Sequence, residues 1–247
     1  MAQWLNATVS ETIHWTGNLF SIKAKTGPLP FIAGQFVRLA LDGPEGRIQR
    51  AYSLVNPPDS EHQEFLVSNV ADGLLSPLLQ QLTPGDTLGI SQPATGFFIL
   101  DEVPDGDNLW LIATGTGIGP YLSMLATAEP YRRFAQIILV HSVSKAADLV
   151  YKELIEGFAA QHPGQLHYQP IVTREPNPGA LQDRIPNLIA SHQLQQQCGQ
   201  LMNPKSQVML CGNPQMITDT KTLLESMGLK KNLRRTPGNI TVEQYWK

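Results

Sequence analysis

An N-terminal six-stranded antiparallel β-barrel followed by a C-terminal α/β doubly wound parallel sheet, two domains in all, is what the patterning of this 247-residue chain predicts. Residues up to about 100 read as short alternating runs broken by Gly, Pro, Asn and Asp, the mark of antiparallel strands joined by tight turns. From about residue 108 onward, unbroken apolar runs alternate with longer helical patterns, as in a parallel sheet covered on both faces. Between the two lies the turn-rich Asp101-Glu102-Val103-Pro104-Asp105-Gly106-Asp107. It sets the domains at residues 1–101 and 102–247.

The expected strands of the first half are 5–15, 19–25, 35–41, 47–55, 64–70 and 86–91. Gly27-Pro28, Asp42-Gly43-Pro44, Asn56-Pro57-Pro58 and Pro84-Gly85-Asp86 reverse the chain between them. Six short strands with little helix make a small barrel. The exception is 76–82, where Ser76 offers an N-cap and Pro77 a preset first helical residue. In the second half, strands fall at 109–113, 136–141, 166–172 and 207–211, and helices at 119–128, 149–161, 184–191 and 214–227. Cys198 sits in a Gln-rich stretch read as a loop, with no role assigned.

Composition narrows the function. Hydrophobic residues at 42% and charged residues at 16% are ordinary for a globular chain. Eighteen Lys+Arg against 21 Asp+Glu leave −3, with no basic surplus for binding nucleic acid through its phosphates. No apolar run approaches the ~18 residues of a membrane span, and the start lacks the basic head and apolar stretch of a signal peptide. Two cysteines, Cys198 and Cys211, are too few for a disulfide framework, a zinc site or an iron–sulfur cluster. The expectation is a soluble, cytoplasmic monomer without a metal, whose redox chemistry, if it has any, rides on a bound organic cofactor.

Four segments carry chemistry. Arg50-Ala51-Tyr52-Ser53 ends an expected strand. A flavin dinucleotide needs a guanidinium for its diphosphate, a flat aromatic face for its ring and a small donor near ring atom N5, and Arg, Tyr and Ser supply these groups. The same four residues also fit a strand with an exposed Arg and a packed Tyr, and alone they do not separate the two. Gly73-Leu74-Leu75-Ser76-Pro77-Leu78 opens a helix, where free N–H groups favour a phosphate; a plain capped helix fits equally. Thr114-Gly115-Thr116-Gly117-Ile118-Gly119-Pro120 follows an apolar strand and precedes a helix, where glycines let the backbone approach a diphosphate. It lacks G-K-[ST], which argues against a P-loop hydrolase; a structural strand–helix turn is the competing reading, though three glycines in five residues would be wasteful there. Cys211-Gly212-Asn213-Pro214 places Cys211 at the carboxyl end of a strand, where such sheets bind ligands. A small core cysteine is the competing reading.

In this order and spacing, together with Gly34-Gln35-Phe36, Ala94-Thr95-Gly96-Phe97-Phe98 and Thr241-Val242-Glu243-Gln244-Tyr245-Trp246, these segments resemble the ferredoxin–NADP reductase family, its bacterial flavodoxin/ferredoxin members above all. The resemblance covers essentially the whole chain. It implies a FAD-binding barrel, an NADP-binding sheet and the flavin at the cleft between them. It further implies that Arg50 pairs with FAD phosphate beside Ala51, Tyr52 stacks on the isoalloxazine and Ser53 lies near N5. Leu66, Val67 and Ser68 would border the ring, and Gly73, Leu74, Leu75 and Ser76 would hold phosphate. Thr116 would lie near both cofactors, with Cys211 and Gly212 under the nicotinamide. Of Tyr245 and Trp246, one would stack on the FAD adenine, with Lys247 displacing the terminal carboxylate by one residue. Tyr52, Ser53 and Cys211 are the residues expected to act in the reaction.

One departure matters. Where bacterial members carry an Arg for the 2′-phosphate of NADP, this chain has Ser144, followed by Lys145, while Arg174 and Arg184 match the family's other two phosphate-binding arginines. Two guanidiniums still bind a dianion, and no carboxylate follows that strand to accept from a ribose 2′-OH, as an NAD enzyme would want. The implied activity is electron exchange between NADP(H) and ferredoxin or flavodoxin, acidic partners that would meet a basic face drawn from Lys230, Lys231, Arg234, Arg235, Arg132 and Arg133. The alternatives are the reductase component of an oxygenase, a free flavin reductase, or a non-catalytic FAD-binding electron-transfer subunit.

Overall fold

The computed structural model describes residues 3–43 and 46–244. They form two compact units, the first comprising residues up to Ile99 together with Gly119–Thr127, the second Leu100–Ile118 and residues from Ala128 onward.

In the first unit, β1 (Gln3–His14), β2 (Leu19–Lys25), β3 (Phe36–Gly43), β4 (Gly46–Ser53), β5 (His62–Ser68) and β6 (Thr87–Gln92) make one antiparallel sheet in the order β4-β3-β6-β1-β2-β5. The two edge strands are linked just past the end of β4, where Val55 N donates to Glu64 O of β5 at 2.9 Å. The inward face carries Phe20, Ile22, Leu39, Phe65 and Ile90, all fully buried. Helix α1 (Ser76–Gln80) fills the expected place but not in the expected way. Leu75 is the N-cap residue, and the Ser76 hydroxyl instead accepts from Val70 N at 3.0 Å. The reason is the preceding turn, Gly73 N to Val70 O at 2.8 Å, which brings the Val70 amide over the buried Ser76.

Helix α2 (Gly119–Leu125), which follows the glycine-rich turn, packs within the first unit. Ser123 Oγ donates to Asn56 O at 2.6 Å, and the Tyr121 ring lies 5.7 Å from that of Phe98.

The second unit holds a wholly parallel sheet, β7 (Asn108–Thr114), β8 (Gln136–Val143), β9 (Leu166–Val172), β10 (Ser206–Gly212) and β11 (Ile240–Gln244), ordered β11-β10-β7-β8-β9. The chain enters at the central β7, builds outward through β8 and β9, then crosses back to β10. The order therefore reverses between β7 and β10, the place where an open α/β sheet binds its ligand. Trp110, Ile138, Val208 and Leu210 on one face and Leu109, Leu111, Leu139 and Met209 on the other are all fully buried, which is why these strands read as unbroken apolar runs.

Three elements were not expected from the pattern. Strand β11 is short and ends in Glu243-Gln244; its parallel pairing with β10 and the fully buried Ile240 make it a strand. Helix α3 (Glu129–Arg133) ends in a clamp: Arg133 pairs with Asp105 at 3.0 Å and Glu129 at 3.2 Å, and donates to Leu100 O at 2.7 Å and to Val103 O. Arg133 is thereby committed to the fold rather than to a partner face. Helix α4 (Lys152–Gln161) starts three residues later than expected, because Tyr151 adopts φ 60°. Helix α5 is Ile185–Ala190 and α7 is Pro214–Ser226. Between them, α6 (Gln193–Cys198) occupies the stretch read as a loop, and Cys198 packs into the core with Leu194 one turn away. Two apolar positions in six residues are too few to announce a helix. Among the described residues no helix is long and apolar enough to cross a membrane.

If β11 is integral to the sheet, Ile240→Ala will cost about 3 kcal/mol, whereas Leu201→Ala, at a side chain 69% exposed, will cost less than about 0.5 kcal/mol. Urea unfolding followed by circular dichroism measures both.

Candidate functional site

In the first unit, the antiparallel register sets Arg50 opposite Leu39 and Tyr52 opposite Val37, so both project from the face of β4 that also carries Ile48, while Ala51 and Ser53 project from the other. The Arg50 guanidinium is exposed; among the described residues it makes no ion pair, and it donates to its neighbour Gln49 O at 2.7 Å. Tyr52 is half-buried and packs on the barrel core. Burial pushes its hydroxyl up to about 12, with Arg50 pulling the other way, so the ring stays neutral. The Ser53 side chain is half-buried. At the opposite edge of the sheet, Leu66 and Val67 are buried in β5 while Ser68 is exposed. The strand runs on into the 70–76 turn described above, where Leu74 is 63% exposed, Leu75 is buried and a Cβ on Gly73 would stand 2.9 Å from Val70 O and 3.0 Å from Ser76 Oγ.

In the second unit, the carboxyl ends of β7 and β10 are pressed together. A Cβ on Gly117 would stand 2.6 Å from Cys211 O; one on Gly212, which has φ +124°, would collide with Thr114 Oγ1 and stand 2.6 Å from Thr114 O. Only glycine fits either place. Thr114 Oγ1 then accepts from Asn213 N at 2.7 Å, and Asn213 caps α7 by accepting from Gln215 N at 2.9 Å and Met216 N at 3.2 Å. From β8, the fully buried His141 reaches Gly115 O through Nε2 at 3.0 Å and so carries its proton there. Thr116, half-buried, lies in the turn these bonds hold, Gly115–Ile118. Cys211 is fully buried.

The register adds a residue that sequence reasoning passed over. Glu243 on β11 stands beside Cys211 on β10. One of its oxygens is buried with no hydrogen-bond partner among the described residues, and burial pushes its carboxyl up to about 7. A glutamate two residues before an aromatic pair was the available signal, but without β11 in view nothing tied it to the site. Tyr245 and Trp246 lie outside the described residues.

Further along the same edge, the ladder between β8 and β9 continues past the strand ends. Thr173 N donates to Val143 O and Arg174 N to Ser144 O, both at 3.0 Å. Ser144, Lys145 and Arg174 are thereby neighbours. Val172 N donates to Leu181 O at 2.9 Å, which returns the loop so that Arg184, the N-cap residue of α5, follows within three residues. Arg174, Arg184 and Lys145 are exposed, and none makes an ion pair among the described residues. One expectation fails here. A carboxylate does stand past the end of β8: Glu175 comes from beyond β9 and accepts from Ala146 N at 2.7 Å. Of the basic residues near the carboxyl terminus, Arg234 pairs with Glu102 at 3.2 Å, while Lys230, Lys231 and Arg235 are exposed.

An antiparallel FAD-type domain followed by a parallel nicotinamide-type domain defines a class of two-domain oxidoreductase, and the chain fits it: residues 7–99 match the oxidoreductase FAD-binding domain and residues 111–222 the oxidoreductase NAD-binding domain. It is 48% identical to the flavodoxin/ferredoxin–NADP reductase of Shigella flexneri and 47% identical to that of Escherichia coli (strain K12), each over 100% of both chains. Its fold is similar to that of a ferredoxin NADP+ reductase from Neisseria gonorrhoeae with bound FAD and NADP, at a TM-score of 0.94, 32% identity and full coverage of both. The chain belongs to the bacterial flavodoxin/ferredoxin–NADP reductase family.

The close packing at Gly212 predicts that Gly212→Ala costs about 3 kcal/mol or more through collision and strain together. Gly179→Ala, at φ +79° in open space, will cost about 1 kcal/mol; thermal unfolding compares the two. Burial pulls His141 from its usual 6.5 down to about 4. The unfolded chain therefore takes up a proton that the folded chain refuses. Stability present above pH 6.5 should be lost as the pH falls toward 4, and His141→Gln should flatten that part of the urea-midpoint profile.

Proposed function

We propose that this chain is a FAD enzyme that exchanges electrons between NADP(H), as hydride, and ferredoxin or flavodoxin, one electron at a time. Its full-length similarity to two flavodoxin/ferredoxin–NADP reductases carries the reading. Residues 1–101 serve as the FAD-binding domain and 102–247 as the NADP-binding domain of a cytoplasmic monomer. FAD, when bound, supplies a carrier able to accept an electron pair and release single electrons.

The donor set fits FAD. Arg50 is an exposed guanidinium with no ion pair among the described residues, available to the diphosphate, Ala51 keeps the strand narrow beside it, and the neutral ring of Tyr52 offers a stacking face. Ser53 presents a hydroxyl for ring atom N5. Leu66, Val67 and Ser68 border the ring, and the amides of residues 73–76 receive phosphate, with the Ser76 proton still available because its oxygen is the acceptor for Val70 N. Thr116 lies in the turn that receives the nicotinamide nucleotide. Gly212 lets the chain pass close at that point, and Cys211 with Glu243 lies at the edge of the floor. Arg174 and Arg184, with Ser144 and Lys145, take the 2′-phosphate.

Anaerobic addition of NADPH to the yellow FAD-loaded protein should bleach it; colour that persists overturns the reading in favour of an electron-transfer subunit blind to nicotinamide. The kcat/KM for NADPH should exceed that for NADH, and Arg174→Ala should raise the KM for NADPH about tenfold while changing that for NADH less than about twofold.

A further inference from the structure

The 2′-phosphate end of the coenzyme site, as assigned above, contains a carboxylate that opposes its arginines. Glu175 accepts from Ala146 N at 2.7 Å and so ties the turn Ser144-Lys145-Ala146 to the segment that carries Arg174. The tie is the third rung of a short ladder, after Thr173 N to Val143 O and Arg174 N to Ser144 O. Among the described residues, Glu175 forms no ion pair with Lys145, Arg174 or Arg184. Its half-buried carboxylate therefore rests on the Ala146 amide, next to Lys145 on the turn and to Arg174 on its own segment.

We infer that Glu175 is a specificity-determining residue: it pins the 144–146 turn, and its charge limits how tightly this end of the site holds a 2′-phosphate. The inference rests on the NADP(H) reading. A carboxylate at the end of the second strand of such a sheet accepts from a ribose 2′-OH, and the same carboxylate repels a phosphate placed there. Glu175 thus pulls the chain toward NAD(H) while Arg174 and Arg184 pull it toward NADP(H). With Ser144 adding no positive charge, the balance is closer than two arginines alone would set it. Glutamine at this position keeps the acceptor for Ala146 N and removes only the charge; alanine removes both.

Calorimetric titration of the FAD-loaded protein with adenosine 2′,5′-bisphosphate and with 5′-AMP separates these effects. Glu175→Gln should bind the bisphosphate about fivefold tighter at low salt, with the gain shrinking at high salt and no gain for 5′-AMP. Glu175→Ala should gain less than Glu175→Gln, because the turn is released. The KM for NADPH should fall in Glu175→Gln while that for NADH does not. Equal changes for the two nucleotides, or a gain insensitive to salt, overturn the assignment. A wild-type preference for the bisphosphate that Glu175→Gln leaves unchanged overturns it too and spares the NADP(H) reading; a preference absent from the wild type and created by Glu175→Gln does the reverse.

Discussion

The close approach of two turns at the carboxyl edge of the parallel sheet is the constraint on which the nicotinamide half of this protein depends. The backbone at Gly117 lies against Cys211 O, and that at Gly212 against Thr114, at separations no Cβ tolerates. A ligand diphosphate can come close to the main chain only where side chains are missing, and the same absence lets the two turns close on each other. The glycines serve the packing of the two turns, and the binding role proposed above draws on the same missing side chains. The packing demand by itself accounts for Gly117 in this segment.

Around this contact the polar groups are arranged to hold the turns still. Thr114 Oγ1 takes the Asn213 amide, Asn213 takes the first amides of α7, and His141 donates from below to Gly115 O. The His141 bond is half-buried, where it is worth more than in water and where its loss would leave a group unsatisfied, while the three at Asn213 are exposed and act by fixing the start of α7. His141 stays neutral because burial disfavours its charged form, and it acts as a fixed strut. The outer end of the site is organised differently, with exposed cations on one loop and one carboxylate between them and the β8 turn. There the chemistry is a balance of charges rather than a fit of surfaces.

Much of this was legible along the chain. Alternation with period two followed by unbroken apolar runs gave the two sheet types, because a strand buried on one face must alternate and a strand buried on both need not. Gly115-Thr116-Gly117 and Cys211-Gly212 were recognisable as motifs, although what forbids a side chain at 117 and 212 is the contact between the two segments, which lie far apart in the chain. Arg174 and Arg184 stood out by matching a family pattern, and both are exposed in the structure. Short elements resisted reading: α6 has two apolar anchors, and β11 has five residues, fewer than a periodicity needs to declare itself.

What escaped altogether were pairings between distant segments. Ser76 looked like a cap and became a partner for Val70 because a turn folded that amide over it. Arg133 looked like a surface cation and became a clamp once Asp105, Glu129 and two carbonyls closed on it. Glu243 met Cys211, and Glu175 met Ala146, only because parallel strands bring positions about 30 residues apart into one register. Local propensity and burial pattern are properties of neighbours in the chain, and so the sequence alone settles the kind of sheet and where its tight turns fall. Which charge faces which is a property of neighbours in space, and it is decided only when the strands line up.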